Sequence, residues 1–170
     1  VGNGFATAGL VFLLLPNTQA ELAKLNNPAF NTETIGLSGA IVVTTPQEIA
    51  LIDARKGIDM FLTDKVNVPV LGIVENMSWF TPEEFPNNKY YIFGNGGGAR
   101  LAEELGLPLL GQIPLVQGVC EAGDEGTPVA LGENTLLAEY FSDLADRVAK
   151  QVALRNETLP ETKKVIVSKH

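Results

Sequence analysis

The sequence predicts an α/β fold built on a buried, mostly parallel sheet, and three features carry that reading. Gly39–Thr44 (GAIVVT) and Val68–Val74 (VPVLGIV) are continuous apolar runs rich in β-branched residues, the pattern of strands covered on both faces. Between them, apolar residues recur at helical spacing over a stretch long enough to cross from one parallel strand to the next, which makes a right-handed βαβ unit. The second run ends in Glu75-Asn76-Met77, polar groups at the carboxyl edge of the sheet, where open α/β folds place ligands.

The elements follow in order. Gly9–Leu15 reads as a first, buried strand closed by the turn residues Pro16-Asn17. Thr18–Leu25 suits one or two helical turns, and Asn26–Glu33 a polar loop. The crossover helix opens with a capping box, Thr45-x-x-Glu48, with Pro46 at the first helical position. Leu51, Ala54, Ile58, Phe61 and Leu62 form its buried stripe. Arg55 and Asp59, one turn apart, are placed to pair. Ser78–Asn88 reads as an irregular excursion with exposed aromatics, and Lys89–Phe93 as a short strand. After the glycines Gly94, Gly96, Gly97 and Gly98 comes a helix, Ala99–Leu105, stopped by Gly106 and Pro108. Leu109–Ile113 is the next strand, ending at Pro114, and a loop with Gly118, Gly123, Gly126 and Pro128 follows it. A long helix spans about Asn134 to Arg155, with Leu137, Phe141, Leu144, Val148 and Val152 on one apolar face. Residues 1–156 read as one domain and 157–170 as a polar tail, whose Val165-Ile166-Val167 suits an edge strand.

A length of 170 residues with 45% hydrophobic side chains fills one two- or three-layer core. A net charge of −8 repels nucleic-acid phosphates and anionic membrane surfaces. Leu10–Leu15 is too short to span a bilayer and has no basic residue before it, so a membrane anchor and a signal peptide are not expected. The lone cysteine, Cys120, excludes an internal disulfide and suits a reducing cytoplasm. Cys120 and His170, fifty positions apart, do not make a closed metal site, and no catalytic residue is assigned.

The glycine loop is the most conspicuous motif. Strand–Gly94-x-Gly96-x-x-Ala99–helix matches a loose dinucleotide fingerprint. The acidic residue that should hold a ribose at the end of the next strand is missing, since that strand ends in Gln112-Ile113-Pro114; a turn before a helix is the plainer reading. No Gly-Lys dipeptide occurs in the chain, so a Walker phosphate loop is absent from it. Asn76 is a stronger candidate. Its carboxamide offers a donor and an acceptor that complement the N6/N7 edge of adenine, although an Asn of this kind also stitches loops to sheet edges. Pro114 can wall the same pocket or merely end a strand.

The segments GAIVVTTPQEIALIDARKGIDMF, VPVLGIVENMSWF, YYIFGNGGGARLAEELGLPLLGQIPL and EAGDEGTPVAL, in this order, resemble the Mrp/ApbC family of MinD-like P-loop ATPases that act as iron–sulfur cluster carriers. The resemblance implies a partial doubly wound sheet with flanking helices, with Asn76, Pro114 and Leu115 on the adenine side of a nucleotide site. It further implies ATP and Mg²⁺ in the complete protein, a homodimer, and iron–sulfur apo-proteins as partners. The chain departs from the family pattern in three ways. It corresponds to the family's C-terminal half, without the Walker lysine loop. Leu13–Thr18 stands where a metal-side Asp and switch loop belong, with Glu21 as the nearest acid. Thr81-Pro82-Glu83-Glu84-Phe85-Pro86 replaces the Cys-Pro-x-Cys pair, so a cluster bridged by two cysteines per subunit cannot form on this chain. An ATP-binding carrier part unable to hydrolyse ATP alone, a non-catalytic dimerisation or interaction module, and a dinucleotide-binding enzyme are the functions to be separated.

Overall fold

In the computed structural model, which describes residues 11–16, 37–82, 84–85, 87–127 and 136–160, the apolar runs pair as the sequence predicts. Strands β2 (Leu37–Thr44), β3 (Val70–Phe80) and β4 (Leu109–Leu115) lie side by side and parallel. β1 (Val11–Pro16) closes the other side of β2 antiparallel, giving the order β1-β2-β3-β4. Parallel neighbours need a crossover. Helix α1 (Glu48–Leu62) supplies it between β2 and β3, and α2 (Gly97–Leu105) between β3 and β4. The short α3 (Gln117–Asp124) and the long α4 (Leu136–Thr158) follow.

The sheet is covered on both faces. On one, Leu51, Ala54, Ile58 and Phe61 of α1 and Leu101 and Ala102 of α2 pack on Ala40, Val42, Val70 and Ile73. On the other, Phe141, Leu144, Val148 and Val152 of α4 pack on Ile41, Leu71, Val74, Leu110 and Ile113. Burying side chains of this size contributes about 1.5–3 kcal/mol each, so the two clusters hold the strands in register. The α4 stripe forms at Phe141, Leu144, Val148 and Val152 as its spacing predicts, with Tyr140 in place of Leu137 at its start. In the α1 stripe Leu62 is the exception and is 58% exposed.

Several local expectations are corrected. The capping box does not form: α1 begins at Glu48 with Gln47 as its cap, without a side-chain hydrogen bond. Thr45 is buried with its hydroxyl unpartnered, and the Glu48 carboxylate instead accepts from Arg100 of α2 at 3.1 Å. Arg55 pairs with Glu104 of α2 rather than Asp59. Both swaps have one cause: α2 packs alongside α1, and its charged groups displace local pairs worth only tenths of a kcal/mol. β3 does not stop at Met77 but continues to Phe80, where Tyr90 makes an isolated antiparallel bridge instead of starting a strand. Trp79 is accordingly buried, edge-on to Tyr140 of α4 with 5.9 Å between centroids, and Lys89 lies 3.8 Å from its ring centre. The segment after β4 is helical as α3, not a loop. α4 reaches Thr158, past the helix end expected at about Arg155. The readings of Gly9 and Leu10, Thr18–Leu25, Asn26–Glu33, Pro128 and Val165–Val167 lie outside the described residues.

Candidate functional site: the carboxyl edge of the parallel strands

Register brings the candidate residues together. Thr44 pairs with Glu75 across β2 and β3, Glu75 pairs with Gln112, and Asn76 pairs with Ile113 across β3 and β4. The carboxyl ends of the three parallel strands therefore share one edge, with Asn76 beside the Ile113-Pro114 step. Here the two strands fall out of step, because β3 advances from Asn76 to Phe80 while β4 advances only from Ile113 to Leu115. Met77 takes up the slack in a left-handed conformation with φ +56°, a β-bulge that re-aims the neighbouring side chains.

Asn76 is half-buried. Its Oδ1 accepts from Met77 N–H at 3.0 Å, which is the stitching role an Asn at a sheet edge is expected to play. One carbonyl lone pair remains, and the carboxamide nitrogen has no partner among the described residues. The group thus keeps one acceptor site and its donors for a ligand. Pro114 is buried and lies within β4 instead of ending it, and the half-buried Leu115 is the strand's last residue. Proline is tolerated there because the bulged stretch of β3 leaves no ladder bond for its missing N–H to make.

Glu75 is the residue that pattern reading passed over. It is fully buried. One carboxylate oxygen accepts from Gly98 N–H in the first turn of α2 at 2.5 Å, and the other accepts from Gln112 Nε2 of β4 at 2.8 Å. Its backbone carbonyl accepts from Ser78 Oγ at 2.9 Å. A signal was present: period-two alternation places Glu75 on the face of Ile73, where a charged residue in an apolar strand needs partners.

The same bond decides the glycine loop. Gly94 and Gly96 have φ of +102° and +65°, conformations that favour glycine. A side chain on Gly97 would meet the Pro46 carbonyl oxygen at 2.4 Å, and one on Gly98 would meet Glu75 Cβ at 2.9 Å. The glycines allow close packing, and the helix N-terminus that would take a pyrophosphate already holds the protein's own carboxylate. The loop is a turn before a helix. Elsewhere, a groove of about 90 Å³ between α1 and α2 carries the Arg55–Glu104 and Arg100–Glu48 pairs. Among the described residues, no group of three or more His, Cys, Asp or Glu side chains is placed to hold a metal ion, and no helix is long and apolar enough to cross a membrane.

With this geometry in place, comparison with known proteins is decisive. The ParA family model described as "NUBPL iron-transfer P-loop NTPase" matches residues 30–149. The chain belongs to this family. A Synechocystis iron-sulfur cluster carrier protein is 42% identical over 124 residues, covering 72% of the chain and 35% of that protein. A Salmonella typhimurium iron-sulfur cluster carrier protein is 49% identical over 129 residues, covering 75% and 34%. A solved nucleotide-binding protein of Archaeoglobus fulgidus, in complex with ADP, is 32% identical with a TM-score of 0.47, covering 54% of this chain and 36% of that one. The chain spans about a third of the length of the curated relatives it matches. As a member of this NTPase family, it has the three-strand parallel sheet and flanking helices described above.

Proposed function

We propose that this chain provides the base-recognising edge of an ATP-binding iron–sulfur cluster carrier, with Asn76 hydrogen-bonding adenine and Pro114 and Leu115 walling the base. The observation that carries the reading is the pairing of Asn76 with Ile113. It brings Asn76, with free donors and one free acceptor lone pair, alongside Ile113, the residue that leads into Pro114 and Leu115, at the edge where α/β sheets take ligands. The residues present fit a base and do not fit the rest of a nucleotide. The sequence has no Gly-Lys dipeptide, and the N-terminus of α2 is taken by Glu75. The triphosphate and Mg²⁺ are therefore held by other residues of the complete protein. There ATP switches a homodimer that serves iron–sulfur apo-proteins in a reducing, cytoplasmic setting. A cluster bridged by two cysteines per subunit has no ligands in this chain, whose lone cysteine is Cys120.

Base recognition without phosphate contacts is weak, so the test uses NMR titration of residues 1–170 with millimolar ADP and IDP. The inosine base lacks the N6 donor. ADP should shift the Asn76 carboxamide signals and bind better than IDP by about tenfold, the worth of one hydrogen bond, and Asn76→Ala should erase that preference. Equal binding of the two nucleotides by the unaltered chain, or tight Mg²⁺-dependent ATP binding in calorimetry, would refute the assignment.

A second reading, a non-catalytic dimerisation or interaction module, is favoured by one observation. Phe85, Tyr90, Tyr91 and Ile92 are 45–60% exposed on the excursion after β3, an apolar cluster of the kind that marks contact surfaces. Light scattering separates the two: a module keeps its oligomeric state whether or not nucleotide is present.

A further inference from the structure

We propose that Glu75 is a positioning residue for the base site: its buried carboxylate clamps the carboxyl end of β3 to α2 and β4, and so sets the direction in which Asn76 points. The proposal rests on the adenine reading for its functional consequence, but the clamp itself is independent of it.

A buried carboxylate is costly unless its oxygens are hydrogen-bonded. Glu75 meets that requirement with partners on different elements: Gly98 N–H at the start of α2, and Gln112 Nε2 on β4. The helix-terminal partner adds the favourable field that a helix N-terminus offers a negative group. Gly98 makes the approach possible, because a Cβ there would lie 2.9 Å from Glu75 Cβ. Ser78 Oγ holds the Glu75 carbonyl from the far side of the bulge. Asn76 is the next residue, and the left-handed Met77 follows it. At a bulge the ladder no longer dictates side-chain direction, so the backbone needs another constraint on each side of Asn76. The Glu75 clamp supplies one, and the Met77 N–H to Asn76 Oδ1 bond supplies the other.

The arrangement also explains why strong polar contacts are spent at this depth of the sheet. An apolar residue at position 75 would fill the space equally well. It would strand the amide of Gly98 and the carboxamide of Gln112, and would leave the backbone ladder as the tie between the β3 end and β4. The clamp ties the glycine turn to the base edge mechanically, without the loop touching the nucleotide.

The test compares Glu75→Ala, which strands both donors, with the reciprocal swap Glu75→Gln plus Gln112→Glu, which restores them. In the swap, the new Gln accepts from Gly98 N–H and donates to the new Glu. Circular dichroism and thermal melting establish that each variant is folded. Two readouts follow: NMR affinity for ADP, and amide hydrogen-exchange protection of Met77, which needs no ligand. E75A should weaken ADP binding by about tenfold and lower Met77 protection, and the E75Q/Q112E pair should recover both. A folded E75A with unaltered ADP affinity and unaltered Met77 protection would overturn the proposal, as would a swap that fails to recover either. If the unaltered chain gives no ADP response, the base reading has failed and Met77 protection alone decides the clamp. If E75A does not fold, Gln112→Ala removes the β4 tie alone; unchanged readouts in that variant would overturn the proposal.

Discussion

Gly97→Ala tests whether the glycine loop is there for packing. The added Cβ would sit 2.4 Å from the Pro46 carbonyl oxygen and 2.8 Å from Leu51 Cδ1. An ordinary carbon–oxygen contact is about 3.3–3.6 Å, so Pro46 must retreat by about 1 Å at the point where β2 hands over to α1. Overpacking of this kind costs about 1–3 kcal/mol. Ala in place of Gly in a helix returns at most about 1 kcal/mol, leaving a net loss of about 0–2 kcal/mol when that gain is realised in full. For a chain of this size that lowers Tm by up to about 8 °C. The control is Gly118→Ala in α3, where nothing lies within 4 Å of the new Cβ and φ is not positive. It should be neutral or stabilise by up to about 1 kcal/mol. Urea unfolding followed by circular dichroism measures both variants under one protocol. The packing account is refuted if G97A is no less stable than G118A.

Two further outcomes follow from the packing and the surface pairs. Ile58 is fully buried between α1 and the sheet, so Ile58→Ala should cost about 2–5 kcal/mol, read as a lower urea midpoint. Arg55 and Arg100 pair with Glu104 and Glu48 on partly exposed side chains. Arg55→Ala and Arg100→Ala should each cost less than about 1 kcal/mol, and 0.5 M salt should shrink the difference from the unaltered chain.

How much of this was legible beforehand varies with range. The βαβ unit was legible because the strands are continuous apolar runs, and only a sheet covered on both faces suits Ala40-Ile41-Val42 and Ile73-Val74. The α4 stripe was legible for the same reason, at period 3.6. The Thr45–Glu48 capping box and the Arg55–Asp59 pair were misread because they are local motifs of small worth, and α2 brought competing partners, Arg100 to Glu48 and Glu104 to Arg55. Trp79 read as part of an exposed excursion because its cover, Tyr140, is far away in the chain. α3 escaped notice because Gly118 and Gly123 sit within it, and glycine is normally a breaker.

The sequence by itself determined the class of fold, the family resemblance and the placing of Asn76 at a strand's carboxyl end, because each depends on residue order and short-range periodicity. It also determined which motifs are not in the chain: no Gly-Lys dipeptide and no cysteine pair occur in it. Only the tertiary structure decided that Asn76 pairs with Ile113, and that Glu75 occupies the N-terminus of α2. Those facts depend on strand register and on which helix end meets which strand. Both are set by side-chain packing between elements distant in the chain, and no local pattern encodes them.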